Sequence, residues 1–579
     1  MTDSEQIEYI KQHLNDVEYI ETQIQQTRDT AEQAALLNTV GTLLMEQAEE
    51  TGHEHDLERS ILALERAVEL MSTNEQHYVR YLSDLAQAVY LRYGLVRELS
   101  DLDRVIELGK KTVASSSTDI SDTALYYYRL SLYLRSRTTR VAATSDIDRP
   151  QALHAINQAV SLTPENDNNF SIYLSSQAAS FKDMFESTGD IKQLEKAIAA
   201  YKRAVSRLTF HRIQYAGVLL NNLASAYWSH YEETGDVNDL SAAIAVYEKA
   251  LSLTPDENQN RPMYKVNLGM ALRSRYQRTG NVEDLNLAIE IYKDAIAMTP
   301  KHSPHLGKRL NSLGIALKAR FERSGVMDDL NNAIDVEQRV LELMPPGSSD
   351  YAIYLNALGV TLHARYRHAG SPTDLDRAIV LAERALSLTP EGHLELGRRL
   401  SSLAIMLRGR FERTGSMDDL DRSIEMAQSS VDLSPEGHPD LPRRLANLGG
   451  SYWYRFSRTR ADNDLEKALA LTKEAVRLMP EDHPDLAMYL NNLGKVLMDY
   501  SVRSASIEDI NYAISTTQKA VDIASADSPD YINYLNALGI ALRRRYRKSK
   551  DYENLDKSIE THKRVVALTP QNTRIEPNI

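Results

Sequence analysis

Asparagine side chains recur along this sequence at separations that are multiples of forty-five residues, in two rows set against a recurring leucine. The row two positions before that leucine contains Asn221, Asn311, Asn356, Asn491 and Asn536, and the row one position before it contains Asn222, Asn267, Asn447 and Asn492. Each amide offers a hydrogen-bond donor and an acceptor together. Because asparagine is only a modest helix former, its recurrence within a helix needs an explanation. The rows predict either a surface that binds a ligand or a set of bonds between neighbouring helices.

Arginine and aspartate recur with the same forty-five-residue period, and side chains of these two types form ion pairs. The arginine row contains Arg275, Arg278, Arg320, Arg323, Arg365, Arg410, Arg413, Arg455, Arg458 and Arg545, and the aspartate row contains Asp239, Asp284, Asp329, Asp374, Asp419, Asp464 and Asp509. The two rows flank one turn, so we expect a ladder of surface ion pairs that each contribute about 0–1 kcal/mol. A stripe that binds phosphate or acidic groups is the functional alternative.

Groups that resemble catalytic or metal-binding motifs lack the context that their chemistry needs. Residues 109–112 (GKKT) resemble the end of a phosphate-binding loop, but Arg104 stands where the first glycine is required. Residues 53–56 (HEHD) crowd their ligands into one turn and predict at most adventitious metal binding. The sequence has no cysteine, which excludes thiolate catalysis and thiolate metal sites. We therefore predict a protein that is not an enzyme and that holds no cofactor or metal.

The elements that must position these side chains are pairs of amphipathic helices, and residues 351–393 show the pattern clearly. Apolar residues at helical spacing form one stripe before Gly370 and a second stripe after it. Gly370 supplies a left-handed helix end, while Ser371 and Pro372 supply an N-cap and a first-turn proline for the next helix. One such hairpin cannot bury both of its stripes, so it needs neighbours.

The neighbours are present, because the hairpin repeats along the chain. A small residue follows the leucine of the first helix at Gly269, Gly314, Gly359, Ala404, Gly449, Gly494 and Gly539, each forty-five residues after the last. A fixed period of this length predicts an all-α solenoid, here of about twelve hairpins. We expect a capping helix over 1–25, diverged repeats over 26–165, regular repeats over 166–570 and a polar tail over 571–579. A joint in the array is expected between 137 and 170.

The residues inside the repeat resemble the tetratricopeptide repeat. The set Leu268-Gly269, Ala288, Tyr292, Ala295 and Pro300 is similar to that family's pattern. Residues 482–494 are similar to repeats of the kinesin-light-chain type. Residues 275–280 (RYQRTG) and 410–415 (RFERTG) resemble the repeat arrays of fungal proteins that often carry a caspase-like CHAT domain, although this chain lacks the cysteine of that domain.

The resemblance implies a fold and a binding mode. It implies a superhelix in which the first helix of each pair, helix A, lines a concave face where asparagine ladders grip the backbone of an extended peptide. The residues that would do so are Asn221, Asn267, Asn311, Asn356, Asn447, Asn491 and Asn536. The predicted function is a scaffold that binds a peptide or a partner domain. The alternatives are a sensor or regulatory arm of a fungal caspase-like or innate-defence system, and a structural homo-oligomer.

Composition limits the partners. The net charge is −14, and an acidic chain without a basic face is not expected to bind nucleic acid. No stretch has the length and apolarity of a membrane span, and the N-terminus does not read as a signal peptide. We therefore expect a cytoplasmic protein without membrane contact. The apolar face of the last helix, which includes Val565, Val566 and Leu568, predicts self-association.

Overall fold

The computed structural model shows an all-α protein, as predicted. The structure describes residues 17–73, 77–116, 120–208, 215–348, 350–393, 395–435, 437–438, 440–481, 483, 485–526, 528 and 530–569. These residues form twenty-five α-helices and no strand. The helices are α1 (Val17–Gln26), α2 (Thr30–Thr51), α3 (Glu54–Glu69), α4 (Tyr78–Val96), α5 (Leu99–Ser115), α6 (Ile120–Thr138), α7 (Ser145–Leu162), α8 (Phe170–Thr188), α9 (Ile191–Ser206), α10 (Ala216–Thr234), α11 (Val237–Ser252), α12 (Arg261–Thr279), α13 (Val282–Ala297), α14 (Leu306–Ser324), α15 (Met327–Leu343), α16 (Tyr351–Ala369), α17 (Pro372–Ser387), α18 (Leu396–Thr414), α19 (Met417–Asp432), α20 (Leu441–Thr459), α21 (Asp462–Arg477), α22 (Leu486–Ser504), α23 (Ile507–Ile523), α24 (Tyr531–Ser549) and α25 (Tyr552–Leu568).

From α2 onward the helices form twelve consecutive pairs, each consisting of a helix A and a helix B, which confirms the predicted number of hairpins. Most turns between A and B use the predicted glycine in the left-handed conformation; Gly370, for example, has φ of 72°. Ser371 takes the N-cap position as predicted, but its hydroxyl makes no capping bond and lies instead 2.9 Å from the hydroxyl of Thr373.

The core lies where helices A and B of one pair cross. A small residue on helix A faces the residue twenty-three positions later on helix B, as in the pairs Gly41–Leu64 and Gly269–Tyr292. A Cβ atom built on Gly269 would lie 2.6 Å from the tyrosine ring. The helices can therefore approach this closely only because the position carries no side chain.

The chain divides into two compact units, Met1–Ala295 and Ile296–Ile579. The division falls after Ala295, so the joint expected between 137 and 170 is not the boundary between the units. A joint within that segment stays a prediction; there, Arg137 binds both carboxylate oxygens of Asp148 at 2.6 and 2.8 Å. The expected capping helix is described only from residue 17 onward, where Ile24 joins the core of the first hairpin. The rest of the expected helix and the expected polar tail over 571–579 lie outside the described residues.

Among the described residues, no helix combines the length and the apolarity that crossing a membrane requires.

Candidate functional site

Helices α16, α18, α20, α22 and α24 of the second unit line a groove of about 510 Å³. These are all A helices, as the resemblance implied for a binding face, and only Thr472 comes from a helix B. Five aromatic side chains lie along the groove, namely Tyr366, Trp453, Tyr454, Tyr489 and Tyr534. Aromatic rings supply apolar contact area at a low cost in conformational entropy, so this lining suits a ligand with apolar side chains.

Neighbouring A helices are connected by side-chain hydrogen bonds between residues forty-six positions apart. Trp453 donates its indole N–H to Asp499 Oδ2 at 2.8 Å, and the Tyr90 hydroxyl lies 2.7 Å from that of Ser136. The interval is forty-six rather than forty-five because a side chain reaches the neighbouring helix one position further along. This register decides what each predicted asparagine contacts.

Three of the predicted asparagines bond to a neighbouring A helix. Asn267 Nδ2 donates to Asn221 Oδ1 at 2.9 Å, and Asn447 Nδ2 donates to Ser401 Oγ at 3.0 Å. Both bonds span forty-six residues. At these positions the structure shows the inter-helix role that the sequence left open as the alternative to ligand binding.

Three other asparagines have a buried amide oxygen with no hydrogen-bond partner among the described residues, namely Asn311, Asn356 and Asn491. Forty-six positions after Asn311 and Asn491 the chain has alanines, which offer no side-chain partner. After Asn356 it has Ser402, whose hydroxyl donates to its own helix. These three oxygens therefore lack the kind of partner that Asn267 supplies to Asn221.

The groove brings together only part of the predicted site. Asn447 and Asn491 line it, together with Asn492 from the second row and Asn533. Asn311 and Asn356 lie on A helices of the same unit but are not lining residues, and Asn536 is exposed on α24 outside the lining. Asn221 and Asn267 belong to the first unit. The peptide-binding role of the whole set stays a prediction.

Burial and charge set the protonation states in the groove. Burial, aided by Arg367 and Arg408, lowers the pKa of His363 to about 4, so this imidazole is neutral at pH 7. Burial also lowers the pKa of Lys495 and of Arg408 below their ordinary values, although nearby carboxylates oppose the shift. Burial raises the pKa of Tyr454, and Glu412 adds to this effect. Arg408 is therefore an incompletely solvated cation at the groove, whereas Lys495 is exposed.

Sequence reasoning missed the residues that shape the groove, and two glycines could have revealed them. Gly409 and Gly450 lie inside A helices at positions where most repeats carry larger residues, and neither belongs to the row of small residues at the helix crossings. A glycine inside a helix destabilises the helix by about 0.5–1 kcal/mol relative to alanine, so its presence needs an explanation. Gly450 leaves room for the Arg408 side chain, because a Cβ on Gly450 would lie 2.9 Å from Arg408 Nη1.

The expectation of surface ion pairs is wrong for the regular Arg–Asp ladder. The pairs Arg275–Asp284, Arg320–Asp329, Arg365–Asp374, Arg410–Asp419 and Arg455–Asp464 are bidentate, with distances of 2.5–2.9 Å. Their aspartates are only 4–6% exposed. The helix B N-terminus packs under the end of helix A, so these carboxylates are enclosed and occupied. They join the two helices of each pair and leave the arginines unavailable as a ligand-binding stripe.

No cluster of three or more possible metal-ligating side chains occurs within the described ranges. Residues 53–56 form two contacts of another kind, with His53 and His55 each 3.8 Å from a carboxylate three positions later.

Comparison with known families identifies the repeat. The sequence model of the tetratricopeptide repeat matches residues 443–485, which include most of α20 and all of α21. The other helix pairs resemble the matched pair, with a period of about forty-five residues and a small residue at the crossing. No curated protein has a similar sequence.

Several solved structures are similar to this chain at low sequence identity. The C-terminal part of a TPR repeat-containing protein from Cytophaga hutchinsonii is 15% identical, covering 56% of this chain and 99% of its own, with a TM-score of 0.36. A putative kinesin light chain with nearly identical TPR-like repeats from Podosopora anserina is 15% identical, covering 38% and 98%, with a TM-score of 0.29. The human IFIT1 dimer with PPP-AAAA is 14% identical, covering 81% and 95%, with a TM-score of 0.42. Similarity at this level says nothing about the ligand of this chain.

Proposed function

We propose that the protein is a non-catalytic interaction scaffold and that the groove of the second unit binds an extended segment of a partner protein. The observation that carries the proposal is the lining itself. Aromatic rings, amides and charged groups from five successive A helices face one cavity of about 510 Å³. This combination of apolar contact area and hydrogen-bonding groups fits an extended peptide, which presents both side chains and backbone amides to a groove.

The amides of the groove supply backbone recognition in this proposal. Asn447 is fixed by its bond to Ser401, while Asn491 has an unpaired oxygen and adjusts to the ligand. Asn492 and Asn533 extend the set of amides in the lining. The interpretations of the chain as a regulatory arm of a defence system, as a homo-oligomer or as a fungal, cytoplasmic protein stay predictions from the sequence.

The test is a selection of random peptides against the full chain, followed by affinity measurements on matched variants. Ile405 lines the groove, and Ile315 occupies the same register on α14 outside it. Ile405→Glu places an unpaired charge in the groove and should weaken the selected peptides at least about tenfold, an effect of about 1.4 kcal/mol. Ile315→Glu should leave affinity unchanged. Equal affinities for the two variants would show that the peptides bind elsewhere and would refute the proposal.

A further inference from the structure

Positive charge collects in the groove of an otherwise acidic chain. Four of the lining side chains are basic and two are acidic, which gives the groove a formal charge of +2, whereas the chain carries −14. Among the four, Arg443 donates to Asp440 at 2.8 Å. Arg367, Arg408 and Lys495 have no ion-pair partner among the described residues. A concavity with surplus cations concentrates anions.

Arg408 is the most enclosed of these cations. Its Nη1 donates to the backbone oxygen of Asn447 at 3.1 Å, and its guanidinium carbon lies 5.8 Å from the centroid of the Tyr454 ring. The missing side chain at Gly450 makes room for the guanidinium. Burial lowers the pKa of Arg408, Tyr454 and Glu412 oppose this effect, and the charge of Arg367 adds to it. Arg408 thus lies at the cavity with Glu412 nearby but without an ion-pair partner among the described residues.

We propose that Arg367, Arg408 and Lys495 bind a phosphate monoester on the segment that occupies the groove, so that the partner is a phosphorylated protein. This assignment rests on the proposed function, because the remaining groove must hold the rest of the segment.

Charge and geometry favour a phosphate monoester over the other anions. It carries about −1.5 to −2 charges near neutral pH and three acceptor oxygens, as many as the three cations that have no ion-pair partner. A carboxylate carries a single charge and has only two acceptor oxygens. Guanidinium groups present their donors in a planar fork that suits phosphate oxygens. A nucleic acid brings a phosphate with every nucleotide and needs a basic surface along its whole path. This chain is acidic overall, and most of the groove lining is aromatic, amide or apolar.

The test measures fluorescence anisotropy of random peptide libraries with a central phosphoserine, phosphothreonine or phosphotyrosine, beside their unphosphorylated counterparts, on the full chain. At least one phosphorylated library should bind about tenfold more tightly than its counterpart, and inorganic phosphate should compete with it. Arg367→Gln and Lys495→Gln should each weaken that binding about three- to tenfold. Gly450→Ala keeps every charge but displaces the Arg408 guanidinium, and it should weaken binding by a similar factor.

A matched control variant and the remaining outcomes distinguish the phosphate assignment from the proposed peptide groove. Arg547 has the same register on α24 as Arg367 on α16 and is exposed outside the lining, so Arg547→Gln should change nothing. Equal binding of phosphorylated and unphosphorylated libraries, with loss in Ile405→Glu, would overturn the phosphate assignment and leave the peptide groove standing. Tighter binding of a phosphorylated oligonucleotide than of any phosphopeptide would also overturn it. No binding of any library would defeat both proposals.

Discussion

Glu337 is an acidic residue that is buried in the core. It lies at the crossing of α14 and α15, opposite Gly314, where no other helix pair carries an acidic residue. The side chain is 3% exposed, and its Oε1 accepts a bond from Thr361 Oγ1 at 3.0 Å. Its Oε2 is buried and has no partner among the described residues. Burial raises the pKa of Glu337 to about 7, against the opposing effects of Thr361 and Lys318.

The raised pKa of Glu337 predicts a stability that falls as pH rises. The folded chain keeps this proton up to about pH 7, while the unfolded chain loses it near its ordinary pKa of about 4.3. Because the folded state then binds more protons, the free energy of unfolding decreases between these values, by about 3 kcal/mol in total. Glu337→Gln should remove this decrease and raise the melting temperature at pH 8.

The control for this prediction is Glu342→Gln, an exposed acid on the same helix, which should melt like the parent at every pH. Parallel melting profiles for the parent and Glu337→Gln from pH 5 to pH 8 would show that Glu337 is not protonated in the fold.

At the residue scale, the sequence could predict which positions carry amides but not what they contact. The period places Asn311, Asn356 and Asn491 in one register with Asn221. Their contacts depend on the residue forty-six positions later, an interval that the structure shows and that the forty-five-residue period does not contain. Only the structure therefore separates the satisfied amide of Asn221 from the three unpaired oxygens.

The close packing of helices A and B within one pair can be tested at Gly359. A Cβ at this position would lie 3.1 Å from the backbone oxygen of Ala378 and 3.6 Å from the Cβ of Leu381. Gly359→Leu should overpack the crossing and lower the free energy of unfolding by about 1–3 kcal/mol or more, measured by thermal or chemical denaturation. Gly347→Leu is the control, because its added side chain meets open space. Equal stability of the two variants would refute the crossing.

The enclosed Arg–Asp ladder predicts a different cost from that of a surface pair. Asp374 is 4% exposed and binds Arg365 at 2.7 and 2.8 Å. Asp374→Ala should lower the free energy of unfolding by about 1.5–3 kcal/mol, because it removes two charge-assisted bonds and leaves an enclosed guanidinium without its carboxylate. Asp376→Ala breaks an exposed pair with Arg413 and should cost less than about 0.5 kcal/mol. A loss below 0.5 kcal/mol for both would restore the surface-pair interpretation.

At the element scale, helix ends and crossings were predictable because they depend on local rules. Glycine at the left-handed end, proline in the first turn and a small residue at the crossing each have a direct steric reason. The burial of the aspartates was not predictable, since it depends on how deeply the start of helix B packs beneath the end of helix A. The groove was equally hidden, because its lining comes from five helices separated by whole repeats.

At the scale of the whole molecule, a repeat array should respond locally to damage, because each repeat contacts chiefly its neighbours. Leu64 is fully buried beneath Gly41 in the first hairpin. Leu64→Ala should cost about 2–5 kcal/mol of local stability. Hydrogen exchange should quicken around α2 and α3, while the peptide affinity of the groove in the second unit stays that of the parent. Faster exchange throughout the chain would show cooperative unfolding instead.

The claim that amides of the groove recognise a partner segment has one direct test, which is the affinity and melting temperature of Asn491→Ala beside Asn356→Ala. Both residues lie in the same register and have an unpaired buried oxygen, but only Asn491 lines the groove. Both variants should melt at or slightly above the parent temperature, because alanine removes an unsatisfied polar group and favours the helix. Asn491→Ala should lose about 0.5–1.5 kcal/mol of peptide affinity, a factor of about two to twelve, and Asn356→Ala should lose none. Unchanged affinity in Asn491→Ala, or an equal loss in both variants, would contradict recognition of the segment by the amides of the groove.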